Sequence, residues 1–371
     1  MSRKFHFVSY VLLLCWLLAA GPAAYGQRLD YRQGELIVQL RPGIVAKDWA
    51  AQQPEVLGIH RLSATMNVWK ISFAHQSHRA SVLKAKFYQQ APVLWVQFNH
   101  LISYRNTLPN DPRFPNQWQY RNVGQIGGLP GADFNVCQSW DLTTGGLTVN
   151  GDTIVVCVID NGIDIDHEDL LPNLWFNRGE IAENGIDDDN NGYIDDFQGW
   201  NTQANSNNIE GGESHGTAVA GIVGARGNNG IGVTGMNWQV KIMVVNNGFL
   251  ASESEVIEAY GYPLEARKRY QQSNGTTGAY VVATNSSWGL ANGRPEDSPI
   301  WCALYDSLGH YGILNVGATV NSNVDVDVVG DLPTTCPSNF LIAVTNVNTQ
   351  NVKVTNAGFG RLSIDLGAFG E

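Results

Sequence analysis

The chain has 371 residues, 43% hydrophobic and 15% charged, which excludes a disordered polymer and fits one large folded domain plus a small one. Its 34 acidic and 23 basic residues give a net charge of −11. That argues against nucleic acid as a partner, because phosphate binding needs a basic surface, and it leaves carboxylates free for a divalent cation.

Arg3 and Lys4 precede an almost unbroken apolar run over 8–20, and Ala24-Tyr25-Gly26 places small residues two apart before Gln27. This pattern predicts a signal peptide over 1–26 and hence a secreted, extracellular protein. No later segment reaches membrane-spanning length. Cys15 would leave with the signal. Cys137, Cys157, Cys302 and Cys336 are too few for a disulfide scaffold. Cys157 lies in an apolar run and reads as a buried thiol, while a Cys302–Cys336 bridge stands as a hypothesis.

Residues 27–106 read as a small α+β unit, with strands at 35–40, 68–73 and 93–98 and a helix at 80–90. Residues 107–117, rich in Pro, Asn and Asp, read as an exposed linker. Beyond it, strands predicted at 154–159, 240–245, 280–284, 313–316 and 340–344 alternate with helices. The helices are expected at 216–225, at Glu253–Gln272 with an interruption at Pro263, and at Pro299–His310. Alternation of this kind predicts an α/β domain whose parallel sheet is covered on both faces, with its chemistry at the carboxyl ends of the strands.

Two positions stand out on that frame. Asp160 ends the apolar run 154–159 before an Asn161-Gly162 turn, where a carboxylate is held rigidly and can orient a histidine. His215 stands at the start of a helix rich in small residues, SHGTAVAGIVGA. A third signal is the loop at 184–196. Asp187, Asp189 and Asn191 recur at alternate positions before Gly192, the first half of a calcium loop, with Tyr193 and Asp195 or Asp196 as further ligands. Gln198 stands where such a loop usually carries glutamate.

Asp160 followed by His215 is the triad order of the subtilisin fold. VIDNGIDIDHEDL and SHGTAVAGIVGA resemble the Asp and His motifs of the subtilisin-like serine proteases (subtilases, peptidase family S8), and the flanks at 109–128 and 131–145 resemble the start of the mature enzymes. The resemblance covers about residues 108–371 and implies a three-layer αβα fold and hydrolysis of polypeptide substrates. It implies that Ser287, Trp288 and Gly289 line the substrate pocket, beside an edge that pairs with extended peptides. It also implies an oxyanion-hole asparagine at Asn321, although Val320 stands where the family usually has glycine, and Asn323 is the alternative. Residues 27–106 fall where the family carries a pro-region that acts as an intramolecular inhibitor. Calcium sites are frequent in the family. The nucleophilic serine, in a motif like Gly-Thr-Ser-x-Ala-x-Pro, is absent from the sequence and is expected shortly beyond Glu371, so the catalytic domain at 107–371 reads as incomplete. The rival expectation is a truncated, non-catalytic homologue that binds peptide or calcium.

Overall fold

The computed structural model describes residues 31–101, 107–211 and 214–370. The signal peptide expected at 1–26 lies outside these residues. The chain divides into two compact units, Met1–Arg105 and Asn106–Glu371.

The first unit contains β1 (Tyr31–Leu40), α1 (Ala46–Ala51), β2 (Gly58–Ser63), β3 (Val68–Ser72), α2 (Ala80–Tyr88) and β4 (Val93–His100). Its strands form an antiparallel sheet in the order β2-β3-β1-β4. Period-two alternation puts Leu36, Val38 and Leu40 of β1 in the core, packed with Trp49, Ile71, Leu83 and Phe87. The sequence reading did not foresee α1 or β2. The helix is short, and β2 is an edge strand with no fully buried residue, so neither carries a strong periodic signal.

The second unit is built on β5 (Val155–Asp160), β6 (Gly199–Asn201), β7 (Lys241–Asn246), β8 (Val281–Ser286), β10 (Leu314–Ala318), β12 (Leu341–Val347) and β13 (Leu366–Phe369). The short strands β9 (Leu290–Ala291) and β11 (Asp331–Leu332) pair separately. The seven main strands form one parallel sheet in the order β13-β12-β10-β8-β5-β7-β6. Helices α3 (His215–Gly224), α4 (Glu253–Gln272) and α5 (Pro299–His310) pack onto it.

The central strands β5 and β7 are buried on both faces, which is why they read as continuous apolar runs, whereas the edge strand β13 buries none of its residues. Val155, Cys157 and Ile159 face a core that includes Tyr260 of α4 and Tyr305 of α5. Val158 faces the opposite core, with Ala220 of α3 and Val244 of β7. Period two then places Asp160 on the face of Val158, the face that α3 covers.

Two expectations are corrected. Pro263 does not interrupt α4, which is continuous over Glu253–Gln272. The missing N–H of Pro263 is tolerated because tertiary bonds hold the helix on either side. Before it the Tyr260 hydroxyl bonds Ser286 Oγ at 2.6 Å and Tyr262 donates to Asp196 Oδ2 at 2.6 Å, and after it Arg267 Nε donates to the Tyr311 carbonyl at 3.1 Å. The strands also run further at their carboxyl ends than the apolar runs. Ladder pairing continues through Asn285 and Ser286 of β8 and through Thr345 and Asn346 of β12. Backbone hydrogen bonding does not require an apolar side chain.

Cys302 and Cys336 are bridged, and Cys157 is a fully buried free thiol whose pKa burial pushes up. No helix among the described residues is long and apolar enough to cross a membrane.

Candidate active site

Asp160 is the last residue of β5 and His215 the first of α3. The His215 Nδ1 lies 2.7 Å from Asp160 Oδ1. Asp160 is buried, while the histidine side chain is about half exposed. A carboxylate at Nδ1 fixes the proton there and leaves Nε2 as the basic nitrogen.

Local chemistry explains the close approach. Asn161 Oδ1 accepts the N–H of Gly216 at 2.9 Å and so ties the strand-end turn to the first turn of α3. A Cβ on Gly216 would overlap the Gly162 carbonyl, so the helix reaches β5 only because residue 216 is glycine. Gly162 takes a left-handed φ of 92° in that turn. The sequence reading treated Asn161 only as a turn residue; an Asx side chain facing a helix start was the signal available for its role as a tie.

Ser287, Trp288 and Gly289 directly follow β8, beside β5 in the sheet. The Trp288 indole donates to the Ile159 carbonyl at 2.7 Å, which fixes the ring against β5. Asn285 Nδ2 donates to Ser287 Oγ at 3.1 Å. These residues line a cavity of about 900 Å³ together with His215, Asn321 and Asp331. Asn321 follows β10 and is exposed to that cavity, whereas Asn323 is not part of its lining and accepts from Lys353 Nζ at 3.2 Å.

The acidic loop forms a second cluster. Carboxylate oxygens of Glu180, Asp187 and Asp189 lie within 4.8 Å of one another. Glu180 Oε2 and Asp189 Oδ1 are buried and accept no hydrogen bond, although Arg269 Nη2 approaches Asp189 Oδ1 to 3.4 Å. Burial, reinforced by the charges of Asp196, Asp189 and Asp187, holds the Glu180 carboxyl above its ordinary range. Asp187 also accepts the N–H groups of Asn191 and Gly192 at 2.9 and 2.8 Å.

The other residues expected in this loop sit differently. Asn191 donates to Asp196 Oδ2 and accepts the Tyr193 N–H. The Tyr193 ring packs between Trp200 and Tyr262, and burial pushes its hydroxyl up to about 12. Asp195, with a left-handed φ of 57°, turns its carboxylate to the N–H groups of Asn184 and Gly185 and does not join the trio. Asp196 is fully buried and bound by Tyr262, Asn177 and Asn191. Glu180 escaped the sequence reading because it lies before the loop and reaches it only through space.

A doubly wound parallel sheet with an aspartate at a central strand end and a histidine opening the next long helix defines an α/β protein with its cleft at the carboxyl edge. Residues 151–370, more than half of the chain, match the subtilase family, peptidase S8, and the chain belongs to that family. It is 39% identical over 143 residues to Subtilisin-like protease 1 of Plasmodium berghei, a match covering 38% of this chain and 22% of that protein. It is 47% identical over 90 residues to Subtilisin-like protease 1 of Plasmodium falciparum isolate 3D7, covering 24% of this chain and 13% of the relative. The chain thus spans less than a quarter of the length of these two curated relatives. A solved protease structure from Pseudoalteromonas arctica shares the fold, with a TM-score of 0.51 at 24% identity over 71% of this chain and 73% of that one.

Proposed function

We propose that this chain is the signal-bearing precursor of a secreted serine endopeptidase that hydrolyses peptide bonds of extracellular proteins. The observation that carries the reading is the 2.7 Å contact between His215 Nδ1 and Asp160 Oδ1 at the carboxyl edge of a subtilase sheet. In this reading a serine hydroxyl, expected beyond Glu371, attacks the scissile carbonyl. His215 Nε2 takes the hydroxyl proton and returns it to the leaving amine. Asp160 holds the ring and stabilises the imidazolium, and the Asn321 amide donates to the oxyanion.

The backbone at 285–289 pairs with the extended peptide, and Ser287, Trp288 and Gly289 bound the side-chain pocket. Residues 27–106 serve as the pro-region and as an intramolecular inhibitor, and 107–371 belong to the catalytic domain. Calcium fits the acidic trio, because two buried carboxylate oxygens there lack hydrogen bonds. Glu180, Asp187 and Asp189 would hold the ion, which supplies positive charge among crowded carboxylates and acts structurally.

The test is casein hydrolysis by the secreted product of the complete reading frame, with and without His215→Ala. In subtilisin itself, loss of the histidine costs about a million-fold in turnover. Wild-type hydrolysis by His215→Ala would overturn the reading. A complete wild-type product that binds peptides without cleaving them would favour a non-catalytic homologue.

A further inference from the structure

One buried acid in the cleft has no part in the proton transfers. Asp331 opens β11, which pairs with β9, the strand that begins directly after Gly289. The residue is only 1% exposed, yet it lines the same cavity as His215, Trp288 and Asn321. Its Oδ2 accepts the Val320 N–H at 3.1 Å and the Thr334 hydroxyl at 2.7 Å. Among the described residues no donor reaches Oδ1. Among the described residues no lysine or arginine lines the cavity, and His215 is the one basic side chain there.

An ionisable group in that position carries a desolvation cost that two neutral donors only partly offset. Burial accordingly holds the Asp331 carboxyl above the ordinary aspartate range. A cation brought by a ligand would supply both the missing donor and the missing charge. The wall beside it suits a long aliphatic stem. Trp288 offers an indole, and Val316 and Ala318 add apolar wall.

The position along a bound peptide also follows. Asp331 holds the N–H of Val320, the residue joined to Asn321. A side chain entering beside Asp331 therefore belongs to the residue whose carbonyl faces Asn321. We propose that Asp331 is the specificity-determining residue of this cleft and selects arginine or lysine on the acyl side of the cleaved bond. The inference rests on the peptidase reading for the identity of the ligand.

The experiment is equilibrium binding, by calorimetry, of two acetylated, C-terminally amidated tetrapeptides, Ala-Ala-Pro-Arg and Ala-Ala-Pro-norleucine, to the product of the complete reading frame freed of residues 1–106 and carrying His215→Ala to prevent hydrolysis. The expected result is an arginine preference of about tenfold to a hundredfold, the range of a charge-assisted hydrogen bond. In Asp331→Asn, which keeps an acceptor for Val320, the preference should fall to about unity. A purely structural aspartate predicts instead an equal loss for both peptides, and that result would overturn the proposal. Should the variant fail to fold, the pH profile of the His215→Ala protein with Asp331 intact serves, because His215, the other titratable group of the cavity, is then gone. The arginine preference should shrink as pH falls through the raised carboxyl pKa, and a preference constant with pH would also overturn it. Binding of neither peptide would reject the peptide-cleft reading itself, whereas equal binding of both would reject only the role of Asp331.

Discussion

The end of β5 and the acidic loop both gather carboxylates, and they do so in opposite ways. At the strand end, Asp160 stands at the last position of a regular element and meets His215 at the first position of another. Hydrogen bonds from the Gly216 N–H of the helix to Asn161 and from Trp288 to Ile159 hold the surroundings. In the loop, Glu180, Asp187 and Asp189 are crowded together by turns, with two buried oxygens left without hydrogen bonds. The first arrangement spends one carboxylate oxygen on the ring and leaves the other, Asp160 Oδ2, buried without a hydrogen bond. The second crowds three like charges with one guanidinium, Arg269, beside Asp189. Regular elements thus set the geometry of one pair, while turns crowd like charges in the other.

The largest expected effect sharpens the first half of this contrast. Asp160→Asn should leave the fold intact and lower turnover by about 10⁴-fold, because the imidazole loses the partner that fixes its tautomer. Steady-state kinetics of the complete enzyme, with circular dichroism as the fold control, would check it. A smaller loss is expected from Gly216→Ala. The added Cβ meets the Gly162 carbonyl and pushes the start of α3 off the end of β5. A displacement of about 1 Å at a catalytic group can cost about a hundredfold, so turnover should fall by that order while KM moves less.

The loop should respond through stability. Adding calcium to metal-free protein should raise the thermal midpoint, and Glu180→Gln should diminish that gain. A change of about 1 kcal/mol corresponds to about 2–4 °C for a domain of this size. Scanning calorimetry with and without chelator measures both. No calcium effect would remove the metal reading and leave the trio as a strained turn.

The smallest effect is a pH dependence in the absence of metal. The folded-state pKa of Glu180 is raised by burial and by neighbouring carboxylates, so the folded form binds the proton more tightly than the unfolded form. Its contribution to stability is therefore fully present below the ordinary glutamate value and is lost as pH rises through the raised one. Stability should decline across that window and less so in Glu180→Gln. The opposite slope would break the comparison.

The sequence reading located the strand-end pair and not the full acidic trio, and the reason is geometric. Asp160 and His215 are marked by the ends of apolar periodic runs, and period two assigns the face. The three long helices were legible for the same reason. Glu180 converges on the loop through a turn that no spacing rule describes, and Asp195 left it because a left-handed backbone turned its carboxylate aside. The edge strand β2 and the polar ends of β8 and β12 are held by backbone pairing, to which side-chain pattern is nearly blind.

The bond from the Trp288 indole to the Ile159 carbonyl has a mechanical meaning. It clamps the rim of the cleft to the peptide group that joins Ile159 to Asp160. In the proposed reading, a substrate side chain against Trp288 would press on that same peptide plane, the one that leads into Asp160 and its carboxylate.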